Sequence, residues 1–505
     1  MGLSSGNGSS EGIQFCVFDS RRGQQEGQEL DKILFFYPPE CPFSAQLSVI
    51  GLCEGIITFT RIFSPEAACE VIEAEGHLHV FYQAEPDVWI VLVVEKIKYT
   101  EPVWRCAALQ GILKEVHSLF VMFLGSVRML LDKQPSGELA RTHLYFFVTD
   151  YLTDFKTGKR IQFPSFRECL REQGTVQMLT ISRDMAIEIQ SLVTLLGSLF
   201  GGITMCNSLI LFEDLLVSTT LSPDDTANLF NYGVMRLTPH ALSSTSSSWS
   251  YVRKSKSASN VSVVSGSPNA VLATSHGSWH TSRDTAPGEE PRIANVPRPL
   301  QRDKWTKGVD GFLLNDRWVA SSGPGNPAVW LQHTEERLYL CVYQYKSLTL
   351  ILLIPLSSLV NGEQDIPLVK KQLLDNASQK IVNIEEKLSR GWGGENAYHV
   401  SGYRYLLVDG DRNVSRASPA AKVNTLSKDS LLALNKLREE VDIEKARSKL
   451  DNPEHEKDFE ACIRARNNAW VIAKVSRGRE LYMALEKASE TLLYASDAME
   501  KFSDR

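Results

Sequence analysis

Two small groups of side chains have the types and spacing that could do chemistry. His77 and His79 alternate along a strand-like run that begins after Gly76, so they share one face, and two imidazoles on one face are half of a metal site. No Cys or carboxylate stands at ligand spacing beside them, and a solvent-facing strand pair is the expectation. Asp409, Asp411 and Asn413 repeat the first ligands of a calcium loop, yet Val414 stands where the sharp turn of that loop requires glycine. A polar hairpin turn is expected there. The chain contains no P-loop, H-E-x-x-H, G-x-S-x-G or G-x-G-x-x-G motif, the usual signatures of phosphoryl transfer, zinc hydrolysis, serine hydrolysis and dinucleotide binding. No catalytic residue, metal ligand or cofactor site is assigned, and the sequence points to surfaces that meet other proteins.

Composition narrows the class further. The 505 residues are 43% hydrophobic, enough for packed cores in about three domains. A net charge of -6 gives no basic field of the kind nucleic acid requires, so no nucleic-acid partner is expected. The nine cysteines, from Cys16 to Cys462, are scattered and never spaced C-x-x-C, and they read as buried thiols in a reducing compartment. Met1 to Ser10 is Gly/Ser-rich and lacks the basic and apolar regions of a signal peptide. From Ile189 to Phe212 no residue is charged, which is the length of a membrane span, but Gly201 and Gly202 interrupt the run. A helix ending near Phe200, a glycine break and a buried strand from Leu209 to Phe212 are expected.

The elements fall into three related α+β modules, at 12–155, 156–395 and 396–505. The first reads as a strand Ile33–Tyr37, a helix Ser44–Arg61, strands Leu78–Gln83 and Val88–Glu95, then helical patterns over Cys106–Asp132 and Ser136–Tyr151. The second begins with a hairpin from Ser208 to Thr220 and a helix from Pro223 to about Tyr232. Strands at Gly311–Ala320, Leu338–Gln344 and Leu348–Leu356 and a helix from Asp365 to Ser389 follow. A Ser/Pro-rich tract at 240–305 interrupts it and is expected to be disordered, either as an inert insertion or as a phosphorylated regulatory segment. The third repeats the order with Tyr403–Asp409, Asn413–Ala417, a helix Lys428–Lys449 and strands Ala469–Val475 and Glu480–Leu485. An amphipathic helix Lys487–Phe502, with Leu492, Ala495, Met499 and Phe502 on one side, closes the chain.

One helix face stands out. At about 100° per residue, Val49, Ile50, Leu52, Cys53, Ile56, Ile57 and Phe59 share an arc expected to pack on the sheet. Leu47, Gly51, Glu54, Gly55 and Thr58 fall on the outward arc. Two helical glycines cost about 1 kcal/mol each relative to alanine, so their position suits a partner backbone that comes close. A helix that breaks at Gly51 and Gly55 accounts for the same residues. Near the carboxyl end, Arg464, Arg466, Lys474, Arg477 and Arg479 form a basic cluster. It has the chemistry to meet anionic lipid head groups, and a solvated helix and strand edge is the alternative.

The runs KILFFYPP (Lys32–Pro39), QLSVIGLCEGI (Gln46–Ile56) and VWIVLVVE (Val88–Glu95) closely resemble the first longin domain of the Ccz subunit of the Mon-Ccz complex, in the vacuolar fusion protein family, in a plant-like version. The resemblance extends over the whole chain by element order and implies three tandem longin (roadblock-like) domains, with antiparallel sheets flanked by helices. It implies half of a heterodimeric guanine-nucleotide exchange factor that, with a Mon subunit, activates a late-endosomal Rab GTPase. It also implies a cytoplasmic protein peripheral to the late endosome or prevacuolar membrane. The family transfers no individual contact residue, so the helix face rests on the residues themselves. A longin-type trafficking adaptor or Rab effector without exchange activity is the alternative.

Overall fold

A computed structural model describes residues 13–65, 68–95, 106–157, 175–179, 181, 183–199, 207–243, 296–301, 304–315, 328–332, 336–358, 366–395, 403–410, 414–417, 426–451, 458–476 and 479–485. The core of the Ser/Pro-rich tract, Arg477, Asp411, Asn413, the two glycines at 201 and 202 and the expected helix Lys487–Phe502 lie outside these residues.

Three antiparallel sheets follow one another along the chain. The first contains β1 (Ile13–Asp19), β2 (Ile33–Tyr37), β3 (Val71–Glu73), β4 (His77–Glu85) and β5 (Val88–Glu95), with α1 (Phe43–Phe63) between β2 and β3. Its strand order is β2-β1-β5-β4-β3. A short β6 (Val176–Gln177) precedes the second sheet, which is built from β7 (Asn207–Phe212), β8 (Leu215–Thr219), β11 (Ala328–Trp330), β12 (Arg337–Tyr345) and β13 (Leu348–Pro355). β9 (Thr306–Lys307) and β10 (Leu313–Leu314) form a two-stranded ribbon beside it. The third sheet holds β14 (Tyr403–Asp409), β15 (Val414–Ala417), β16 (Phe459–Arg464), β17 (Trp470–Ser476) and β18 (Arg479–Leu485). Read from the hairpin outward, the second and third sheets repeat the order of the first, and β6 adds in parallel to β15.

The central strand of each sheet shows why this order is stable. β13, LTLILLIP, is buried at every position, and β5, VWIVLVVE, at its first six, because a strand paired on both sides and covered on both faces meets no water. A continuous apolar run satisfies that environment better than alternation.

Helices cover the faces. α2 (Cys106–Leu124), α3 (Val127–Lys133) and α4 (Glu138–Thr157) follow the first sheet; α5 (Arg183–Leu199) and α7 (Ile366–Glu395) lie on one face of the second, and α6 (Pro223–Arg236) on the other; α8 (Lys428–Asp451) packs on the third. The expected single helix through Asp132 is two helices. Gly125, at φ 83, ends α2 in a conformation that suits glycine, and Ser126 starts α3 by accepting a hydrogen bond from Met129 N at 3.1 Å. α6 runs to Arg236, beyond the expected Tyr232, with Ser222 capping and Pro223 in its first turn. The uncharged run Ile189–Phe212 holds the expected helix and buried strand: α5 ends at Leu199 and β7 begins at Asn207.

The first two sheets share one apolar core. Phe15, Val17 and Ile90 of the first sheet, Leu113, Phe120 and Phe123 of α2, Tyr232 of α6 and Leu340 and Ile351 of the second sheet belong to a single buried cluster. The end of the 240–305 tract, expected to be disordered, is instead ordered at 296–301 and 304–305, because its Arg298, Leu300 and Trp305 find partners in the fold, and it seals the joint. Arg298 donates to both carboxylate oxygens of Asp150 on α4, at 3.1 and 2.6 Å, and Arg236 donates to Leu300 O at 2.9 Å. In the third module a buried Arg438 on α8 meets Glu480 and Tyr482 of β18, with Asp442 at 3.2 Å on its other side and Lys445 on Glu480.

Glu85 ties the first sheet to its helices. Its carboxylate accepts from Val127 N and Arg128 N, both at 2.7 Å, and lies 3.2 Å from the His117 ring. Burial alone would push this carboxyl up, but the His117 contact and the two backbone donors outweigh it and hold the carboxyl below its ordinary value. Its stabilisation is therefore present at neutral pH and lost as pH falls through that lowered value. Glu85→Ala, which strands two N–H groups at the start of α3, is expected to cost about 1–3 kcal/mol. A thermal melt at pH 7 checks this, and the deficit relative to the native chain should shrink in acid.

Candidate partner-docking site

The structure settles which way α1 faces. Gln46, Ile50, Cys53 and Ile57 are its buried residues, seated with Cys16, Phe18, Phe81, Trp89 and Val91 on one face of the first sheet. This is narrower than the arc read from the sequence. Leu52 and Phe59, expected to pack on the sheet, are 54% and 62% exposed, because a flat sheet accepts only a strip of the helix. Ile62 and Phe63 are exposed at 70% and 72%, and the Phe59 and Phe63 rings meet edge to face at 5.0 Å. Leu52, Phe59 and Phe63 fall within about 40° of one another around the helix, so they form one ridge.

The five residues of the expected docking face divide. Gly51, Gly55 and Thr58 are exposed, and a Cβ built on either glycine meets nothing within 4 Å. The helix does not break at them; α1 is continuous from Phe43 to Phe63. Leu47 and Glu54 lie at the margin of the buried strip: Leu47 packs on the core, and Glu54 accepts a hydrogen bond from Lys32 Nζ at 2.7 Å. What remains is a shallow row of Gly51 and Gly55 bordered by the apolar ridge. By length and composition α1 and α2 could each cross a membrane. For α2 the apolarity is consumed by the core, with eight buried side chains. For α1 it is divided: Ile50, Cys53 and Ile57 are buried and Leu47, Val49 and Ile56 pack beside them, whereas Phe43, Leu52, Phe59, Ile62 and Phe63 are exposed.

The other residues singled out in the sequence are dispersed over the fold. His79 is buried, stacked 6.4 Å from Phe81, while His77 is exposed; the pair is not solvent-facing because the face of β4 that carries them lies in the α1 layer. Cys462 is exposed, against the reading of buried thiols, while Cys16, Cys53 and Cys341 are buried. Among the described residues no three His, Cys, Asp or Glu side chains converge to hold a metal ion. The basic cluster is split. Arg464 ends β16 with its guanidinium 5.5 Å over Trp470 and Arg466 follows in the turn, whereas Arg479 begins β18 at the opposite end, 3.7 Å from Asp409. Lys474 sits opposite Glu460 in the β16–β17 register.

A five-stranded antiparallel sheet with one helix on one face and further helices on the other defines a longin-domain protein. Residues 13–125 match the family described as the first longin domain of INTU, CCZ1 and HPS4. Over its full length the chain is 64% identical to a vacuolar fusion protein CCZ1 homolog of Oryza sativa subsp. japonica, covering 98% of that protein, and 62% identical to CCZ1 homolog B of Arabidopsis thaliana, again covering 98%. A CCZ1 homolog of Dictyostelium discoideum is 23% identical over 95% of this chain and 93% of its own. The chain belongs to the vacuolar fusion protein CCZ1 family.

Two outcomes follow from the α1 layer. Gly55→Ala is expected to raise stability by about 1 kcal/mol, since the helix gains propensity and the added methyl meets open space, whereas Gly55→Trp should leave the melting temperature near native yet abolish partner binding, scored by co-purification. His79 has an unpartnered Nδ1, and burial, then the neighbouring His77, holds its pKa below the ordinary value. The unfolded chain therefore takes up a proton near pH 6.5 that the fold resists, and stability falls as pH drops through that range. His79→Leu should flatten the fall between pH 7 and 5 in denaturant titrations.

Proposed function

We propose that this chain is one subunit of a heterodimeric guanine-nucleotide exchange factor that, with a Mon-type subunit, activates a late-endosomal Rab GTPase ahead of fusion with the vacuole or lysosome. The second and third sheets are read as two further longin domains, and the complex as peripheral to the late-endosomal or prevacuolar membrane. The observation that carries the reading is α1, a helix anchored to its sheet by four buried residues that turns Leu52, Phe59, Ile62 and Phe63 outward beside two bare glycines. An exposed apolar surface rimmed by polar side chains is a docking feature. Relatives named as vacuolar fusion proteins at 64% and 62% identity support the same reading. Exchange in this reading makes and breaks no covalent bond; the complex prefers the nucleotide-free GTPase and so shifts its population.

Release of a fluorescent guanine nucleotide from the late-endosomal Rab tests it. This chain alone should leave the intrinsic rate unchanged and both subunits together should accelerate release; no acceleration with both would overturn the proposal. Capture of the nucleotide-free Rab in preference to the GTP-loaded one is expected as well, and the reverse preference would mark an effector.

A further inference from the structure

Residues 296–301 form a strap over the joint between the first two modules, and they are held as a bound peptide is held. Among the described residues, the strap backbone pairs with no strand or helix; its one backbone hydrogen bond is its own, Gln301 N donating to Arg298 O at 3.2 Å. Side chains do the rest. Asp150 on α4 takes Arg298 through both carboxylate oxygens, and the Phe146 ring lies 5.0 Å from the guanidinium. On α6, Tyr232 donates to Pro299 O and Arg236 to Leu300 O, so two successive carbonyls are read. Leu300 is buried and enters the apolar core that the two modules share.

These contacts give the cleft between α4 and α6 a specificity of its own. Tyr232 and Arg236 are buried, and the Asp150 side chain is nearly so. Taking the strap away would remove the carbonyl acceptors from Tyr232 and Arg236 and the cation from Asp150, and buried polar groups that lose partners are costly. The cleft therefore demands an occupant. The strap suits it, because Pro297 and Pro299 carry no N–H and have fixed φ, so the segment brings few donors to desolvate and loses little freedom on docking. Proline-rich recognition segments that dock on aromatic-lined grooves share these properties.

We infer that the α4–α6 cleft is a peptide-binding site for an arginine flanked by prolines ahead of an apolar residue, and that the free chain fills it with its own residues 296–301. A partner segment with the same order of side chains takes the cleft in their place. Strap and partner exclude each other, so partner binding releases from α6 the point where the chain returns from residues 244–295, together with the tie between α4 and α6.

A fluorescein-labelled peptide of residues 294–303, titrated into the full chain and followed by anisotropy, tests the site. The native strap, tethered to the fold, should hold the peptide off through its high effective concentration. Arg298→Glu sets two carboxylates against each other, should expel the strap, and should raise peptide affinity by about tenfold or more. Adding Asp150→Arg to that variant restores the pair in reverse and should return the affinity to the native value. A peptide with glutamate in place of the arginine should not bind the Arg298→Glu chain. An Arg298→Glu chain that melts near native and binds the peptide no tighter overturns the site, and so does equal binding of the arginine and glutamate peptides. Should Arg298→Glu fail to fold, Leu300→Ala decides, because its strap keeps its charge and loses only its apolar anchor; a Leu300→Ala chain with native peptide affinity overturns the site as well.

Discussion

The fold of the first two modules depends on the burial of α2 between them. Its side chains fill one face of the first sheet, where Phe120 meets Phe147 of α4 edge to face at 5.3 Å, and reach the second, where Phe123 lies 4.5 Å from Tyr232. Each fully buried large apolar side chain contributes about 1.5–3 kcal/mol, against about 1 kcal/mol for a partly exposed ion pair such as Arg298–Asp150. The apolar layer therefore joins the modules, and the ion pair orients the strap that closes over them. The Tyr232 hydroxyl within the layer is satisfied on both sides: it donates to Pro299 O at 3.2 Å and accepts from Trp305 Nε1 at 2.9 Å.

That shared layer explains a contrast between two helices in equivalent positions. α6 follows the first two strands of its sheet as α1 follows those of the first, but α6 meets α2 of the neighbouring module whereas α1 has no such cover among the described residues. One copy of the pattern is completed within the chain. The other leaves Leu52, Phe59, Ile62 and Phe63 exposed, and a strip of that kind marks a surface of interaction.

Legibility in the sequence followed burial. The central strands β5 and β13 were readable because covering on both faces demands an unbroken apolar run. The Ser222–Pro223 start of α6 was readable because a cap and a first-turn proline have a local mechanism. β1 and β16 were missed. β1 was legible in principle, as an apolar run between Gly12 and the turn residues Asp19, Ser20 and Gly23, whereas β16 alternates Glu, Cys and Arg with small or half-open residues, too weak a pattern to mark an edge. In α1 seven apolar positions span about half the helix, and sequence alone does not show that Ile50, Cys53 and Ile57 are the three of them that are buried; that choice is made by Trp89, Phe81 and Cys16 from strands distant in the chain. His79 was misjudged for the same reason.

The strap at 296–301 also fixes how the Ser/Pro-rich tract joins the molecule. The chain departs just past α6, after Ser243, and on its return Pro299 and Leu300 are bound by Tyr232 and Arg236 of that same helix. Both ends are thus held at one spot. Joining two fixed ends costs only about 0.6 kcal/mol more for each doubling of the connecting length, so the number of residues between these two anchors adds little to the cost of closing them. The helix that carries both anchors acts as a port on an otherwise tightly joined pair of modules.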